Sequence, residues 1–535
     1  MPRPLVFYVR APPGPGGPSA VMTVNTQNST PQDSGQGDST NEVRGAVRNT
    51  LQLGGSLLVT FAIALAIRPL MARYLGPEAL GYFSWADSFS ATFFIVTNLG
   101  LETYIRKEVA VRPEHASDFF GTTMLVRLGM TVLLMGALAV VLHFRNEPPE
   151  VRHLVQWFAL AQALIIINAC MAALLHAKGK VAGLSVSNIV TKLIWGGGLA
   201  LAAAGGVGLQ WLAIPIVAAE SVKLGIGWRL AQTHLGLRFR VDWVATRRVM
   251  KDCLPYFLTA AALACNGRVD MSLLGTLGSM KEVGWYWGAW NIASLTFLIN
   301  PIFGWVLMPL MSRAASRSEA ELTQLTRRSL EGTLSVTVPM MMAMVLGAHS
   351  WVRLMNGPGF DESTMPLRVL SPLFVLVYVT MVSSVWLTMM NKPWWVTAAA
   401  VMGAVLDPLL NLVLVPVLHE RLGDGGGATA TALCMLITEL LVTALFLWRM
   451  GRASFDRRSL VMLAKTTAVC LTCFAVDPLL SFIQPWVRLG LEAVLYVALI
   501  LVTGAVRPAE LALVLKLARN RGAPAPAPVA VPPLA

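Results

Sequence analysis

Apolar runs of roughly 18 or more residues, separated by short polar stretches, recur from Thr50 to Thr503. Runs of that length cross a hydrocarbon core as helices. They fall at 47–72, 79–103, 117–144, 151–177, 181–204 and 208–230, then at 250–277, 282–312, 328–351, 364–390, 394–417 and 427–450. Two more follow at 457–478 and 480–504. The pattern predicts an all-α, polytopic membrane protein with about fourteen transmembrane helices. The first two runs part sharply at Leu75-Gly76-Pro77-Glu78. Proline lacks the amide a helix interior needs, and it disfavours the helical conformation at the residue before it.

The second run, Ala79 to Arg106-Lys107-Glu108, has a partner later in the chain. Gly81-Tyr82-Phe83 matches Gly284-Trp285-Tyr286, Ala86 matches Ala289 and Phe94 matches Phe297, all at an offset of about 203. Asn188 and Asn411 match further on, as do Glu220 and Glu439, at an offset that drifts to about 223. Loop insertions between duplicated halves produce such drift. Each half holds six spans, an even number, so the repeats are parallel, related by an axis along the membrane normal. The organisation expected is a leader (1–45), a six-helix lobe (46–235), a second six-helix lobe (236–452), two added helices (453–506) and a basic surface helix with a Pro/Ala-rich tail (507–535).

Composition sharpens this picture. Of 535 residues 55% are hydrophobic and 13% charged, with a mean hydropathy of +0.61. The net charge of +13 would point to nucleic acid in a soluble chain. Here the positive-inside rule accounts for it, because with the N-terminus inside the cytoplasmic segments collect about 26 Lys and Arg and the external ones about 8. Both termini are therefore expected in the cytoplasm, and no nucleic-acid partner is. The leader is rich in Pro, Gly, Ser and Gln and cannot bury a core, so it is expected to be disordered. The six cysteines lie in apolar runs, and Cys470-x-x-Cys473 has no histidine nearby, which favours packing over metal or redox chemistry. No P-loop, nucleophile elbow or H-x-x-x-H spacing is present, so neither an enzyme nor a metal site is expected. Trp285, Tyr286, Trp287 and Trp290 suit an interfacial aromatic belt, with stacking on sugar rings as the alternative.

Charges inside apolar runs carry the functional information. Arg68, Arg127, Lys192, Lys223, Arg268 and Lys465 are the cations; Asp87, Glu220, Asp270, Asp407, Glu439 and Glu492 are the acids. Each would cost about 2.5–3.5 kcal/mol facing lipid at mid-depth. Each therefore faces water, pairs with another charge, or snorkels to an interface. Arg268 and Asp270 are two apart, so their partners lie on different helices. Lys465 and Glu492 fall outside the duplicated core and suit anchoring or a side groove.

Arg73-Tyr74-Leu75-Gly76-Pro77-Glu78, Gly81-Tyr82-Phe83 and Asn98-Leu99-Gly100-Leu101 through Glu108 resemble the first-lobe motif of polysaccharide flippases in the MATE-like superfamily. Arg268-x-Asp270 with Leu277-Gly278, and Asp407-Pro408-Leu409-Leu410-Asn411 with Gly427-Ala428-Thr429-Ala430, resemble its second-lobe elements. The Gly423–Gly427 stretch is richer in glycine than that pattern. The resemblance covers 45 to 505 and implies a flippase for polyprenyl-pyrophosphate-linked oligosaccharide repeat units, working by alternating access in the inner membrane. It implies a cationic chamber for the pyrophosphate drawn from Arg68, Arg127, Lys192, Lys223 and Arg268, since guanidinium groups grip phosphate oxygens in pairs. No cofactor is implied. With no nucleotide site, coupling falls to an H+ or Na+ gradient or to product consumption, with Asp87, Glu220, Asp270, Asp407 and Glu439 as the coupling candidates. Membrane lipid, a polysaccharide polymerase and chain-length or export proteins are the implied partners. An ion-coupled multidrug antiporter and a lipid-linked peptidoglycan-precursor flippase remain open, and a polysaccharide polymerase or ligase fits the short external loops poorly.

Overall fold

The structure, a computed structural model, describes residues 35–98, 116–145, 147–177, 182–236, 261–262, 265, 267–299, 307–480 and 482–504. Among these residues the regular structure is helical throughout. The N-terminal helices are α1 (Gly35–Phe94), α2 (Ala116–Phe144), α3 (Pro149–Ala177), α4 (Ala182–Ala204) and α5 (Ile214–Leu235). The C-terminal set comprises α6 (Val269–Leu277), α7 (Met280–Ala293), α8 (Met308–Arg317), α9 (Glu319–Leu346), α10 (Ala348–Met355), α11 (Thr364–Leu370), α12 (Leu373–Met389), α13 (Pro393–Leu422) and α14 (Gly426–Met450). The last pair is α15 (Arg457–Val476) and α16 (Pro485–Thr503). Helix α5 packs on α3 and α4; α14 packs on α12 and α13; and α15 packs on α16.

Eleven helical segments among the described residues are long and apolar enough to cross a membrane. The longest, Val59–Thr97, overlaps the first two predicted spans at 59–72 and 79–97, divided at Gly76. The seventh and eighth predicted spans are represented by α6, α7 and α8, with parts of both outside the described residues. The basic clusters at 106–107 and 239–251 and the surface helix at 507–521 also lie outside them.

The predicted break is a single residue. Gly76 has φ 70° and ψ 174°, a backbone state open to glycine and strained for other residues, and helix resumes at Pro77. In the second copy, the break between α6 and α7 is closed by a capping box. The Ser279 hydroxyl accepts from the Glu282 amide, and the Glu282 carboxylate accepts from the Ser279 amide. Past this point both copies tighten into 3-10 turns, Ile95–Asn98 and Ser294–Ile299. The duplication thus extends to the irregularities.

The two breaks pack on each other. A Cβ on Gly81 would strike the Met280 carbonyl, and one on Gly284 would strike the Pro77 carbonyl. Gly81 with Gly284, and Pro77 with Met280, are equivalent pairs at the repeat offset, so the contact is reciprocal. Around it, the Trp85 indole donates to the Ser272 carbonyl at 3.3 Å and lies over Gly275, while Thr92 and Ser272 share a hydroxyl bond at 3.0 Å. The Arg73 guanidinium donates to the Leu354 carbonyl at 2.7 Å, which brings α10 to the same end. Trp85, Leu80, Ala86, Leu274, Val283 and Tyr286 are buried in the cluster that results.

Two expectations change. Trp285 and Tyr286 are core residues, not an aromatic belt: Trp285 donates to the Gly359 carbonyl at 2.9 Å, and Tyr286 is fully enclosed. Their helix is the one that crosses α1, so its aromatic face turns inward. Trp394, by contrast, is 72% exposed and suits an interface. Residues 35–45, placed in the disordered leader, are helical. Extending a helix costs far less than nucleating one, and no proline interrupts 35–68.

Crowding at the crossing generates a test. Forcing a side chain into such a contact costs about 1–3 kcal/mol. In a background without native cysteines, Gly284→Leu is expected to raise maleimide labelling of Ser84→Cys, a buried position, by about tenfold. Gly55→Leu, with open space around it, is expected to leave labelling unchanged.

Candidate functional site

The charges at membrane depth resolve into separate groups. Arg268 follows Gly267, whose φ is 75°, and α6 begins only at Val269. That interruption aims Arg268 at α1, where its guanidinium pairs with the Asp87 carboxylate at 2.6 Å. Gln162 of α3 donates to the other Asp87 oxygen at 3.1 Å. Both members are partly exposed, at 45% and 32% side-chain exposure, where α1 faces the start of α6.

The other cations converge nearby. Lys192 of α4 lies within Coulombic reach of Glu220, Arg68, Lys223 and Asp87, with its ammonium 4.7 Å from the centre of the Trp195 ring. Arg68 donates to the Ser294 hydroxyl at 3.1 Å, a further link from α1 to the second copy. Glu220 is held by the Asn168 amide at 2.8 Å, rather than serving Lys223 alone. One patch therefore gathers Arg68, Lys192, Lys223 and Arg268 against Asp87 and Glu220. Cation is in excess. Arg127 is elsewhere: it is 1% exposed, and its guanidinium donates to the Ile166 carbonyl between α2 and α3. Glu439 is apart as well, turned toward Thr380 of α12.

Asp270 faces away from Arg268, as the two-residue spacing requires, and meets Asp407 of α13. Both acids are buried, at 0% and 4% exposure. Read as a carboxylate, neither oxygen of Asp270 has a donor among the described residues, and its neighbour Asp407 is itself an acceptor. The side-chain oxygens of Asn411 and Thr438 are buried beside them, with the Thr438 hydroxyl turned to Asp407. The Asn411 amide donates to the Asp407 carbonyl at 2.9 Å and points toward the Asp407 carboxylate at 3.5 Å. Tyr286 and Cys434 complete the surroundings. Two carboxyls in contact cannot both stay charged away from water unless a proton or a small cation sits between them. Oxygen ligands of this kind suit a hard cation.

Glu282 escaped sequence reading. It is fully buried, capped onto Ser279, and it accepts from the Gly427 amide at 2.7 Å. The His419 imidazole of α13 lies 3.0 Å from its other oxygen. This explains the glycine-rich stretch: Gly423 and Gly425 turn with positive φ, and a Cβ on Gly427 would collide with the carboxylate. Lys465 and Glu492 keep to α15 and α16, where Lys465 donates to the Thr503 carbonyl at 2.7 Å and Arg488 lies beside Asp477 and Glu492.

Comparison with known proteins places this arrangement. A family described as polysaccharide biosynthesis proteins matches residues 46–315. A Haloferax volcanii protein named as a low-salt glycan biosynthesis flippase, Agl15, is 21% identical over 377 residues, 69% of this chain and 77% of its own. An Escherichia coli K12 protein named as an O-antigen transporter is 22% identical over 410 residues, 75% of this chain and 95% of its own. Among solved structures, the lipid II flippase MurJ in an inward closed conformation superposes with a TM-score of 0.67 at 13% identity, covering 86% of this chain and all of that one. That likeness establishes the fold.

The acid pair yields a measurable expectation. If it holds sodium, the purified protein gains about 2.7 kcal/mol at a hundredfold excess over the dissociation constant, and Asp270→Asn removes the gain. If it holds a proton, unfolding is insensitive to sodium and Asp270→Asn abolishes a pH dependence instead. Unfolding temperatures across sodium concentration and pH separate these cases, and an unchanged response in Asp270→Asn would remove the pair from consideration.

Proposed function

Because the chain belongs to the family of polysaccharide biosynthesis proteins, we propose that it is a flippase for polyprenyl-pyrophosphate-linked oligosaccharide repeat units, serving a surface or secreted polysaccharide. The observation that carries this reading is the cation-rich patch between α1, α4, α5 and α6. A pyrophosphate brings negative charge into membrane depth, and guanidinium groups meet its oxygens with paired, charge-assisted hydrogen bonds. The prenyl tail stays in lipid while the headgroup enters the chamber. The excess of cation over acid in the patch makes it a poor host for a cationic drug, which sets this reading above an antiporter.

Asp87 holds Arg268 in place while the chamber is empty. An arriving phosphate competes for the same guanidinium, so substrate binding loosens a link between the two sets of helices. The acid pair at Asp270 sits two residues away on the same interrupted helix. Exchange of its proton or sodium shifts α6 and with it Arg268, which couples an ion gradient to the chamber. Rocking about the α1–α7 crossing then exposes the chamber to each side in turn. The cytoplasmic membrane, with both termini inside, is the setting that the arginine bias supports, and a polysaccharide polymerase and chain-length or export proteins would take up the product.

Deleting the gene is expected to abolish one surface or secreted glycan and to leave its lipid-linked repeat unit on the cytoplasmic leaflet. Normal export together with new sensitivity to cationic dyes would favour the antiporter. Within the site, Arg268→Ala is expected to cut export by about 10–100-fold with membrane abundance unchanged once Asp87→Asn is added, and Arg268→Lys to recover part of it. If the double variant regains export along with abundance, the arginine serves pairing alone.

A further inference from the structure

A second cationic cavity lies away from the chamber, in the elbow between α8 and α9. It encloses about 400 Å³ and is walled by two facing stripes, Leu310, Arg313, Ala314 and Arg317 from α8 and Glu321, Gln324, Leu325 and Arg328 from α9. Each stripe has the i, i+3, i+4, i+7 spacing of one helix face. The elbow is fixed at Ser318, whose hydroxyl accepts from the Glu321 amide at 3.1 Å. Behind it, Met311 and Ala314 are buried in the same apolar cluster as Leu322 and Leu330, so the two helices form a rigid platform.

Depth and charge identify the occupant. Helix α9 runs about 42 Å, longer than a hydrocarbon core of about 30 Å. Its far end leads into α10, whose Leu354 carbonyl meets Arg73 at the closed crossing. The cavity is therefore at the opposite membrane surface, just outside the apolar run that starts near Arg328, at headgroup level. Arg317 is paired with Glu321 at 3.0 Å, which leaves Arg313 and Arg328 to supply the net charge of the lining. On the open side, Met308 and Leu310 are 46% and 39% exposed and offer an apolar approach for acyl chains. A topological role asks only for positive charge on this side. It does not ask for three guanidinium groups around one cavity.

We propose that this elbow binds the phosphate headgroup of an anionic phospholipid from the surrounding leaflet, with diphosphatidylglycerol, whose two phosphates match the two remaining arginines, as the best fit. The bound lipid fastens α8 to the start of α9 at the membrane surface. The site is separate from the chamber and does not depend on what the chamber carries.

The test uses the full-length protein in nanodiscs doped with photoactivatable diphosphatidylglycerol or phosphatidylcholine, reading label recovered on peptides covering 308–328. Label from the anionic probe well above that from phosphatidylcholine is expected. Arg313→Gln with Arg328→Gln should lower it about thirtyfold, and Arg313→Lys with Arg328→Lys should lose less. Equal labelling by the two probes would overturn the proposal, as would full labelling of the glutamine variant. Displacement of the label by soluble inorganic pyrophosphate would assign the elbow to a free phosphate, and displacement by polyprenyl pyrophosphate alone would assign it to the chamber's substrate. Should the glutamine variant not fold, the comparison of the two probes on the unaltered protein decides.

Discussion

The reciprocal seating of Gly81 on Met280 and Gly284 on Pro77 is the constraint on which the other arrangements depend. Two helices approach backbone to backbone only where side chains are absent from both. Because the same sequence element supplies both sides, one duplicated motif yields a self-complementary joint. From that joint follow the burial of Trp85, the reach of Arg73 to α10, and the meeting of Asp87 with a residue 181 positions away. Shift the crossing by a turn and each of these is lost together.

The joint also sorts the charges. Around it, the break at Gly267 just before α6 leaves Arg268 exposed beside Asp87 and Asp270 buried beside Asp407. A continuous helix would hold the two residues about 200° apart but at a fixed height and angle; the break frees Arg268 from the helical register. The result is an exposed cation and a buried acid only two residues apart.

Much of this was legible in the chain. Apolar run lengths located the helices, Gly76-Pro77 located the break, and the 81/284 correspondence located the joint's two sides, because each is a local property of sequence. Arg268 and Asp270 declared separate partners by spacing alone. What stayed hidden was which helix faces which. Nothing local ties Asp270 to Asp407, and Glu282 reaches Gly427 across 145 positions. Trp285 and Tyr286 misled for the same reason: aromatics beside a membrane break suit an interface unless another helix covers them, and that cover comes from elsewhere in the chain. Arg127 shows the converse, an arginine whose apolar run gave no hint that a carbonyl of α3 would hold it.

Glu282 stands where the first copy has Ala79. In the second copy that acid binds three helices into one block, since it holds the start of α7, the start of α14 and His419 near the end of α13. The first copy has only a glycine pivot at the equivalent bend. The duplicated halves are therefore mechanically unequal: one is clamped, the other articulated. Gly76 divides α1 so that Arg68 lies on one side of the bend and Asp87 on the other. Of two matching motifs, one bend is tied down by an acid and the other is left to a glycine.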